Sequence, residues 1–190
     1  MSDFRDNIIS HRPMGRYFTI GSKRLRGQAG TYNGTTCNAS TLPVTNISDR
    51  WEAQELTDAV NNAVLTNMIV PNYYKSGTNI DVVVAWSTLA STSGNAYYDV
   101  GFAASGAGDT LTTVGSMTFK GLTTYAGPTT TNQLIINTFT FSGTNVQPGD
   151  ILTAVVYRVG GNASDTINTA MHVISISFDF KVNAKGNLTI

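Results

Sequence analysis

The sequence predicts an all-β protein, a jelly-roll-like antiparallel β-sandwich that carries an extended N-terminal arm. Three observations support this prediction. Only 13% of the residues are charged, so long solvated surface helices are not expected. The 18 glycines, together with many asparagine and threonine residues, favour turns and strands. Several stretches alternate between apolar and polar residues, which is the period of a half-buried strand.

Two long strand patterns near the C-terminus are predicted to organise the sandwich. In residues 151–159 both alternating faces are largely apolar, which indicates a central strand buried on both sides. In residues 172–182 one face is apolar and the other is mostly polar, which indicates a strand with one solvent-exposed face. The loop between them, residues 160–165, is made of residues that favour turns.

These strands give specific expectations for buried side chains. Arg158 ends the first strand between apolar residues, so we expect it to be paired rather than free at the surface. Asp165, across the loop, is its expected partner. The residues predicted to lie in the sandwich core are Trp86, Val155, Ile174 and Phe178.

Earlier stretches predict further strands. Residues 80–87 and 96–102 both alternate, and the Ser- and Gly-rich turn between them indicates a hairpin. Weaker patterns predict strands at residues 112–120 and 133–141. Short strands separated by turn-forming clusters are typical of a β-sandwich, and a jelly roll is the form expected here.

The stretch from residue 49 to residue 70 has mixed signals. Asp49 and Glu52 have the spacing of a helix cap, and apolar residues follow at helical spacing. Paired asparagines interrupt that run, and Pro71 pushes the residue before it towards extended geometry. We therefore expect an irregular or helical turn followed by a strand.

Residues 1–45 are predicted to form an arm outside the sandwich domain of residues 46–190. The arm is rich in glycine and lacks sustained periodicity, apart from a short strand at residues 16–20, so it cannot bury a core of its own. Residues 1–50 carry a net charge of +4, from seven basic and three acidic side chains, and the remainder carries −4. We expect neighbouring chains to order the arm. Its predicted partner-binding residues are Arg12, Arg16, Tyr17, Phe18, Lys23, Arg24 and Arg26.

No arrangement typical of a catalytic site is found in the sequence. A hydrolytic triad needs a base, and the two histidines are His11, in the arm, and His172, which is expected to be a core histidine bonded to backbone. The single Cys37 excludes an intramolecular disulfide and a multi-cysteine zinc site. No cofactor, metal site or enzymatic activity is predicted. The carboxylates at strand ends are expected to cap turns rather than to form a glycosidase pair or a calcium site: Asp99, Asp109, Asp150 and Asp165.

The sequence also contains few residue patterns that indicate a binding surface. The basic run at residues 23–26 is short, so protein docking is preferred and nucleic-acid contact is not expected. The pairs Tyr73–Tyr74 and Tyr97–Tyr98 resemble a sugar-stacking platform, but strand alternation places one tyrosine of each pair inside.

No apolar stretch approaches the roughly 20 residues of a membrane span, and the N-terminus is too polar for a signal peptide. We expect no membrane association and synthesis in the cytoplasm.

Residues 63–182 resemble a β-sandwich module found in bacteriophage virion proteins. The matching features are a strand ending in Trp86, Ser87 and Thr88, a Ser-Gly-Asn turn before an aromatic strand, a Pro-Gly-Asp turn, a strand ending in Tyr157 and Arg158, an Asp-Thr loop and a final aromatic strand. The resemblance implies a structural part of a head, tail or fibre. It offers no catalytic residues to carry over.

Together these observations predict a non-enzymatic bacteriophage structural protein located in the virion after synthesis in the host cytoplasm. The first expectation is a capsid decoration or cement protein, because a basic arm without a core suits contacts across subunits. Its expected partners are copies of itself, as a homotrimer, and the major capsid protein or another virion protein. The alternative is a tail or fibre module that binds host-surface carbohydrate. A third hypothesis, a carbohydrate-active enzyme, requires a carboxylate pair in a cleft.

Overall fold

Alternating apolar and polar residues form fourteen β-strands and no helix in the part of the chain that the structure describes. The structure is a computed structural model that describes residues 17–21, 25–39, 45–47, 51–109 and 117–182. The strands are β1 (Tyr17–Gly21), β2 (Arg26–Gly27), β3 (Gly30–Tyr32), β4 (Thr35–Ala39), β5 (Thr45–Ile47), β6 (Trp51–Leu56), β7 (Asn61–Ile69), β8 (Ile80–Ser87), β9 (Asn95–Ser105), β10 (Thr118–Phe119), β11 (Thr123–Ala126), β12 (Ile135–Phe141), β13 (Ile151–Val159) and β14 (Met171–Lys181).

These strands form two sheets that pack face to face, which confirms the predicted all-β sandwich. The first sheet has the order β12-β8-β14-β6-β5, with β1 also paired to β14. The second sheet has the order β10-β9-β13-β7-β4-β3, with β11 paired to β9 and β2 paired to β7. β13 lies between β9 and β7, as its two apolar faces predict. Pairing among the described strands is antiparallel except between β4 and β7.

The main core lies between the two sheets and is rich in aromatic side chains. Trp86 and Tyr98 meet edge to face with ring centroids 6.2 Å apart. Both also donate hydrogen bonds of 2.8 Å to the side-chain oxygen of Asn137 on β12, so neither polar group is buried without a partner. Phe178 is also fully buried in this core. The predictions for Trp86 and Phe178 are therefore confirmed.

A second, smaller core covers the opposite face of β13. Val155 and Tyr157 point into it, away from the main core. The ring of Tyr32, from the turn end of the β3–β4 hairpin, stacks on Tyr157 at 5.6 Å, and Phe119 meets Tyr157 edge to face at 5.9 Å. Cys37, on β4, is buried in the same cluster. Val155 is therefore buried as predicted, but in this outer core rather than between the sheets.

A β-bulge in β14 changes which side chains face the main core. The register against β8 shifts between Val173 and Ser175, so the extra residue there, Ile174, has no partner in the ladder. Val173 and Ile176 are fully buried in the main core, whereas Ile174 is only half-buried. The prediction that Ile174 lies in the core is wrong, because simple alternation does not continue through a bulge.

The predicted hairpin between residues 80–87 and 96–102 is also wrong. Both stretches are strands, but β8 pairs with β12 and β14 in the first sheet, and β9 pairs with β13 in the second. The loop of residues 88–94 is long enough to cross the roughly 10 Å between packed sheets, so the apolar faces of the two strands meet across the main core.

Local helix signals are overridden between residues 49 and 70. The stretch expected to be an irregular or helical turn contains β6, which pairs with β14 and buries Ala53 and Leu56. Asp49, the expected helix cap, lies outside the described residues. The strand expected next is confirmed as β7. Pairing with a sheet edge provides more burial than an isolated turn of helix would.

The remaining strand predictions have mixed outcomes. The strand predicted at residues 133–141 is confirmed as β12. Of the strand predicted at residues 112–120, the described part contains the short β10, and residues 110–116 lie outside the described residues. β11 was not predicted, because its residues lack clear alternation between apolar and polar side chains.

The described part of the arm is paired with the body of the same chain. β1 pairs with β14, which confirms a short strand here, and β2 pairs with β7. The β3–β4 hairpin covers the outer face of β13 and joins β7 through parallel pairing. For these residues, the expectation that neighbouring chains order the arm is wrong, because open sheet edges and an apolar face of the same chain provide the binding surface. The domain boundary at residue 45 stays a prediction.

We expect Phe178→Ala to lower the free energy of unfolding by about 3 to 5 kcal/mol, because it removes a fully buried ring and leaves a cavity. Ile174→Ala is the matched control on the same strand, and it should cost less than about 1.5 kcal/mol because the bulge leaves Ile174 half-buried. Urea unfolding of both variants measures the difference. Equal losses would contradict the assignment of faces in β14.

We expect Tyr32→Ala to accelerate the labelling of Cys37 by a thiol reagent by roughly tenfold or more. The substitution removes the ring stacked on Tyr157 and the 2.9 Å hydrogen bond from the Tyr32 hydroxyl to the Gln28 carbonyl. In the native protein burial raises the pKa of the Cys37 thiol to about 11, which also slows labelling. Because this is the single cysteine of the chain, absorbance of the released reagent measures it directly. Tyr73→Ala, outside this cluster, is the control, and equal labelling rates in both variants would contradict the role of Tyr32 in shielding Cys37.

Candidate functional site

Two long loops meet at one end of the sandwich and leave a cleft between them. The first loop, residues 88–94, connects β8 to β9, and the second, residues 160–170, connects β13 to β14. The cleft has a volume of about 460 Å³. It is lined by Ala90, Ser91, Thr92, Ser93, Gly94, Thr166, Asn168 and Thr169.

The two loops touch at Gly94, and only glycine fits there. A β-carbon on Gly94 would lie 2.1 Å from the carbonyl oxygen of Thr166, well inside the contact distance. Next to this contact, the Asn95 amide donates to the Thr166 hydroxyl and the Thr166 amide donates back to the Asn95 carbonyl, both at 2.8 Å. The base of the cleft is therefore held by reciprocal hydrogen bonds between the loops.

A third loop, which joins β11 to β12, supports the first loop. The Thr92 amide donates to the Pro128 carbonyl at 2.9 Å, and the Gly127 amide donates to the Gly94 carbonyl at 2.9 Å. Within the first loop, the Thr92 hydroxyl accepts from the Gly94 amide at 3.1 Å. Serine and threonine favour such tight turns because their hydroxyls replace ladder hydrogen bonds, and glycine favours them because it has no β-carbon.

Arg158 lies behind the second loop with a fully buried side chain. Its guanidinium makes a two-point contact with Asp165, from Nε to Oδ2 at 2.8 Å and from Nη2 to Oδ1 at 2.7 Å. It also donates to the carbonyl oxygens of Leu56, Ile167 and Thr169 at 2.9, 3.1 and 2.9 Å. The predicted pairing of Arg158 with Asp165 is confirmed. Asp58, whose side chain is 42% exposed, adds a longer contact of 3.3 Å.

His172 is buried, as expected, but it lies on the outer face of the first sheet. Its neighbours on β14, Met171 and Val173, point into the main core, so strand alternation turns His172 the other way. Its Nε2 is 3.7 Å from the carboxylate of Glu55 on β6. Burial lowers the pKa of His172, and the Glu55 carboxylate and the Ala170 carbonyl oppose that shift. Nothing in this environment resembles a nucleophile and its base. His11 lies outside the described residues.

The four carboxylates expected at turns have three different roles. Asp109 accepts the Gly106 amide at 2.7 Å and Asp150 accepts the Gln147 amide at 2.8 Å, so both cap turns as predicted. Asp165 is instead the partner of Arg158. Asp99 lies within β9, where it accepts the Tyr157 hydroxyl at 3.1 Å and the Val100 amide at 2.7 Å, and burial raises its pKa. The prediction of turn-capping is therefore wrong for Asp99 and Asp165.

Among the described residues, no group of three or more His, Cys, Asp or Glu side chains is placed to hold a metal ion. No helix within those residues is long and apolar enough to cross a membrane.

The tyrosine pairs divide as strand alternation predicts. Tyr74 and Tyr98 are buried in the main core, whereas Tyr73 is exposed and Tyr97 is half-buried. No tyrosine is among the described residues that line the cleft. The stacking platform considered in the sequence is therefore not formed by these four rings together.

The predicted partner-binding residues of the arm are only partly within the described residues. Tyr17 and Phe18 lie in β1, opposite Lys181 and Phe180 of β14. Arg26 lies in β2 opposite Leu65 and is exposed. The other four predicted residues lie outside the described residues: Arg12, Arg16, Lys23 and Arg24. Their role in binding a partner stays a prediction.

The cleft residues were not predicted as a site. In the sequence, residues 90–94 and 166–169 appear as ordinary turn-formers in two separate loops. They come together because β8 and β9 belong to different sheets, so the loop that joins them crosses the end of the sandwich. The one available signal was the concentration of hydroxyl and amide side chains in both loops.

Comparisons with known proteins find similarity in structure alone. No protein-family model and no curated protein sequence matches the chain. A xylan-binding module of family CBM15 matches with a TM-score of 0.50 and 14% identity, over 90% of this chain and 99% of the module.

Two larger proteins are similar to a lesser degree. A family GH115 4-O-methyl-α-glucuronidase with specificity for decorated arabinogalactans matches with a TM-score of 0.39 and 11% identity, over 70% of this chain. The enzymatically active domain of bacteriophage CBA120 tailspike protein 4 matches with a TM-score of 0.36 and 8% identity, over 85% of this chain. This chain spans 14% of the glucuronidase and 18% of the tailspike domain. The fold is thus a β-sandwich of the kind seen in the xylan-binding module.

Proposed function

We propose that this protein is a non-catalytic carbohydrate-binding module that holds uncharged sugar units in the cleft between the loops of residues 88–94 and 160–170. The observation that carries the proposal is the chemistry of the lining. Apart from Ala90 and Gly94, the residues around the cleft carry hydroxyls and one amide and are exposed or half-exposed. None of the described lining residues is charged or aromatic.

Hydroxyl and amide groups match the hydrogen-bonding needs of a sugar. Each serine or threonine hydroxyl both donates and accepts, and the Asn168 amide offers two donors and an acceptor. Ser91, Ser93 and Asn168 are exposed, so their polar groups are available to a ligand. Four or five such hydrogen bonds of about 1 kcal/mol each correspond to a dissociation constant in roughly the millimolar range.

The charges nearest to the cleft support an uncharged ligand. Arg158 and Asp165 lie behind the second loop, both side chains are fully buried, and they neutralise each other. An acidic sugar would find no free cation among the described lining residues and would lose hydration without compensation. We therefore favour neutral glycans over those that carry uronic or sialic acids.

The fold comparison supports the class of function. The matched xylan-binding module has nearly its whole length covered by this chain, so the chain has the size of one such module. Asp99 accepts a structural hydrogen bond from Tyr157 and Asp165 is paired with the buried Arg158, which supports a role without catalysis for these two carboxylates.

This proposal replaces capsid decoration as the first candidate. Decoration was favoured because the arm was expected to be ordered by neighbouring chains, and its described residues instead pair with their own body. A carbohydrate-binding module on a phage tail or fibre agrees with both the fold and the resemblance noted in the sequence. The location in a virion, the homotrimer and contact with a capsid protein stay predictions.

We expect the protein to bind a neutral oligosaccharide on a glycan array that includes xylohexaose, cellohexaose and their glucuronic acid-substituted counterparts. Asn168→Ala should weaken that binding by roughly tenfold, which corresponds to losing one or two hydrogen bonds. Titration calorimetry measures the change. Asn67→Ala, an exposed asparagine in β7 away from the cleft, is the matched control and should bind as the native protein does. No binding to any glycan, or equal binding by both variants, would refute the proposal.

We expect the affinity for the neutral glycan to be constant between about pH 5 and pH 8. None of the described lining residues changes its charge in that range. His172, whose pKa is lowered by burial, lies on the outer face of the first sheet. The measurement is the same calorimetric titration at several pH values, and a bell-shaped or stepwise dependence would indicate that a titratable group contacts the ligand.

A further inference from the structure

Between positions 165 and 168, alternate residues of the second loop lie on opposite sides. Arg158 binds the side chain of Asp165, the carbonyl of Ile167 and the carbonyl of Thr169. The residues between them, Thr166 and Asn168, line the cleft, and Thr169 lines it as well. The guanidinium thus contacts the loop at residues 165, 167 and 169, and Thr169 also lines the cleft.

The donors of Arg158 are fully used in this arrangement. Nε and Nη2 reach the two oxygens of Asp165, Nη1 is shared between the carbonyls of Leu56 and Thr169, and Nη2 also reaches Ile167. The Leu56 contact ties the group to β6, and the stem of Arg158 belongs to β13. The guanidinium is therefore anchored to both sheets, and the loop is held against it.

We propose that Arg158 is a positioning residue of the cleft: it orders residues 165–169 so that Thr166 and Asn168 face the ligand. This inference rests on the proposed function. Ordering a loop before binding removes a cost that the ligand would otherwise bear, because the loop has lost its conformational freedom in advance. The planar five-donor fork of arginine suits this task, and lysine, with one ammonium group, cannot reach the same set of partners.

The first experiment needs no ligand. Hydrogen exchange reports the amides of Thr166 and Ile167, which both donate to the Asn95 carbonyl in the native protein. In Arg158→Lys we expect their exchange to accelerate by roughly tenfold or more, while the amides of β13 and of β9 beyond Tyr97 keep their protection. Asp58→Asn is the matched control, since Asp58 contacts the same guanidinium at 3.3 Å but does not belong to the loop. It should leave these amides protected.

The second experiment measures binding of xylohexaose to the native protein and the same variants. Arg158→Lys should weaken binding by roughly tenfold or more, and Asp58→Asn should leave it within about twofold. In Arg158→Ala, which lacks the guanidinium, addition of millimolar methylguanidinium should restore part of the affinity by occupying the vacated site. A purely packing role would not be rescued by the free cation.

The outcomes of these experiments test the positioning role of Arg158 separately from the proposed binding of carbohydrate. Protected Thr166 and Ile167 amides in Arg158→Lys would overturn the positioning role, whether or not a glycan binds. Faster exchange throughout both sheets would also overturn it, by showing that Arg158 stabilises the whole fold. Asp165→Asn, which keeps the shape of the side chain but removes its negative charge, provides a second variant for separating loop ordering from stability of the whole fold. If the native protein binds no glycan, the proposed function fails, and the exchange data still decide whether Arg158 orders the loop.

Discussion

Burial of β13 on both of its faces is the constraint on which the rest of the structure depends. Leu152 and Val156 face the first sheet across the main core, and Val155 and Tyr157 face outwards. A sandwich of two sheets covers only one of these faces. The other requires additional chain, and the β3–β4 hairpin and the segment around Phe119 supply it. The β3–β4 hairpin, which belongs to the arm that lacks a core of its own, is therefore needed to complete the core of the sandwich domain.

The buried guanidinium at the end of β13 connects this core to the loops. An arginine taken out of water loses several kcal/mol of hydration, which only good geometry and several hydrogen bonds offset. Here a carboxylate and three carbonyl oxygens meet it at 2.7 to 3.1 Å. Because three of those partners belong to one loop, the requirement to satisfy the charge also dictates the path of that loop. Core formation and cleft geometry are therefore physically coupled.

Local patterns predicted which residues form strands more accurately than which strands pair with each other in the sheets. The bounds of β8 and β13 follow from alternation alone, and the pairing of Arg158 with Asp165 follows from one charge among apolar neighbours. The partners of β8 and β9 do not follow, because a loop of this length permits either a hairpin or a crossing between sheets. Ile174 was misplaced by a single inserted residue, which alternation cannot reveal. The cleft depends on both effects, since it forms where two separate loops are brought together.

The hydrogen bonds of Asn137 have a consequence for the edge of the first sheet. Among the described strands, β12 is an uncharged strand at one edge of the first sheet. Such an edge strand is prone to shift its pairing register or to pair with another molecule. A slip by one residue would turn the Asn137 side chain outwards and would leave the indole of Trp86 and the hydroxyl of Tyr98 without an acceptor. Each such orphaned group costs about 1 to 3 kcal/mol. One amide oxygen thus acts as a register lock, and it discourages misaligned pairing without placing any charge on the strand.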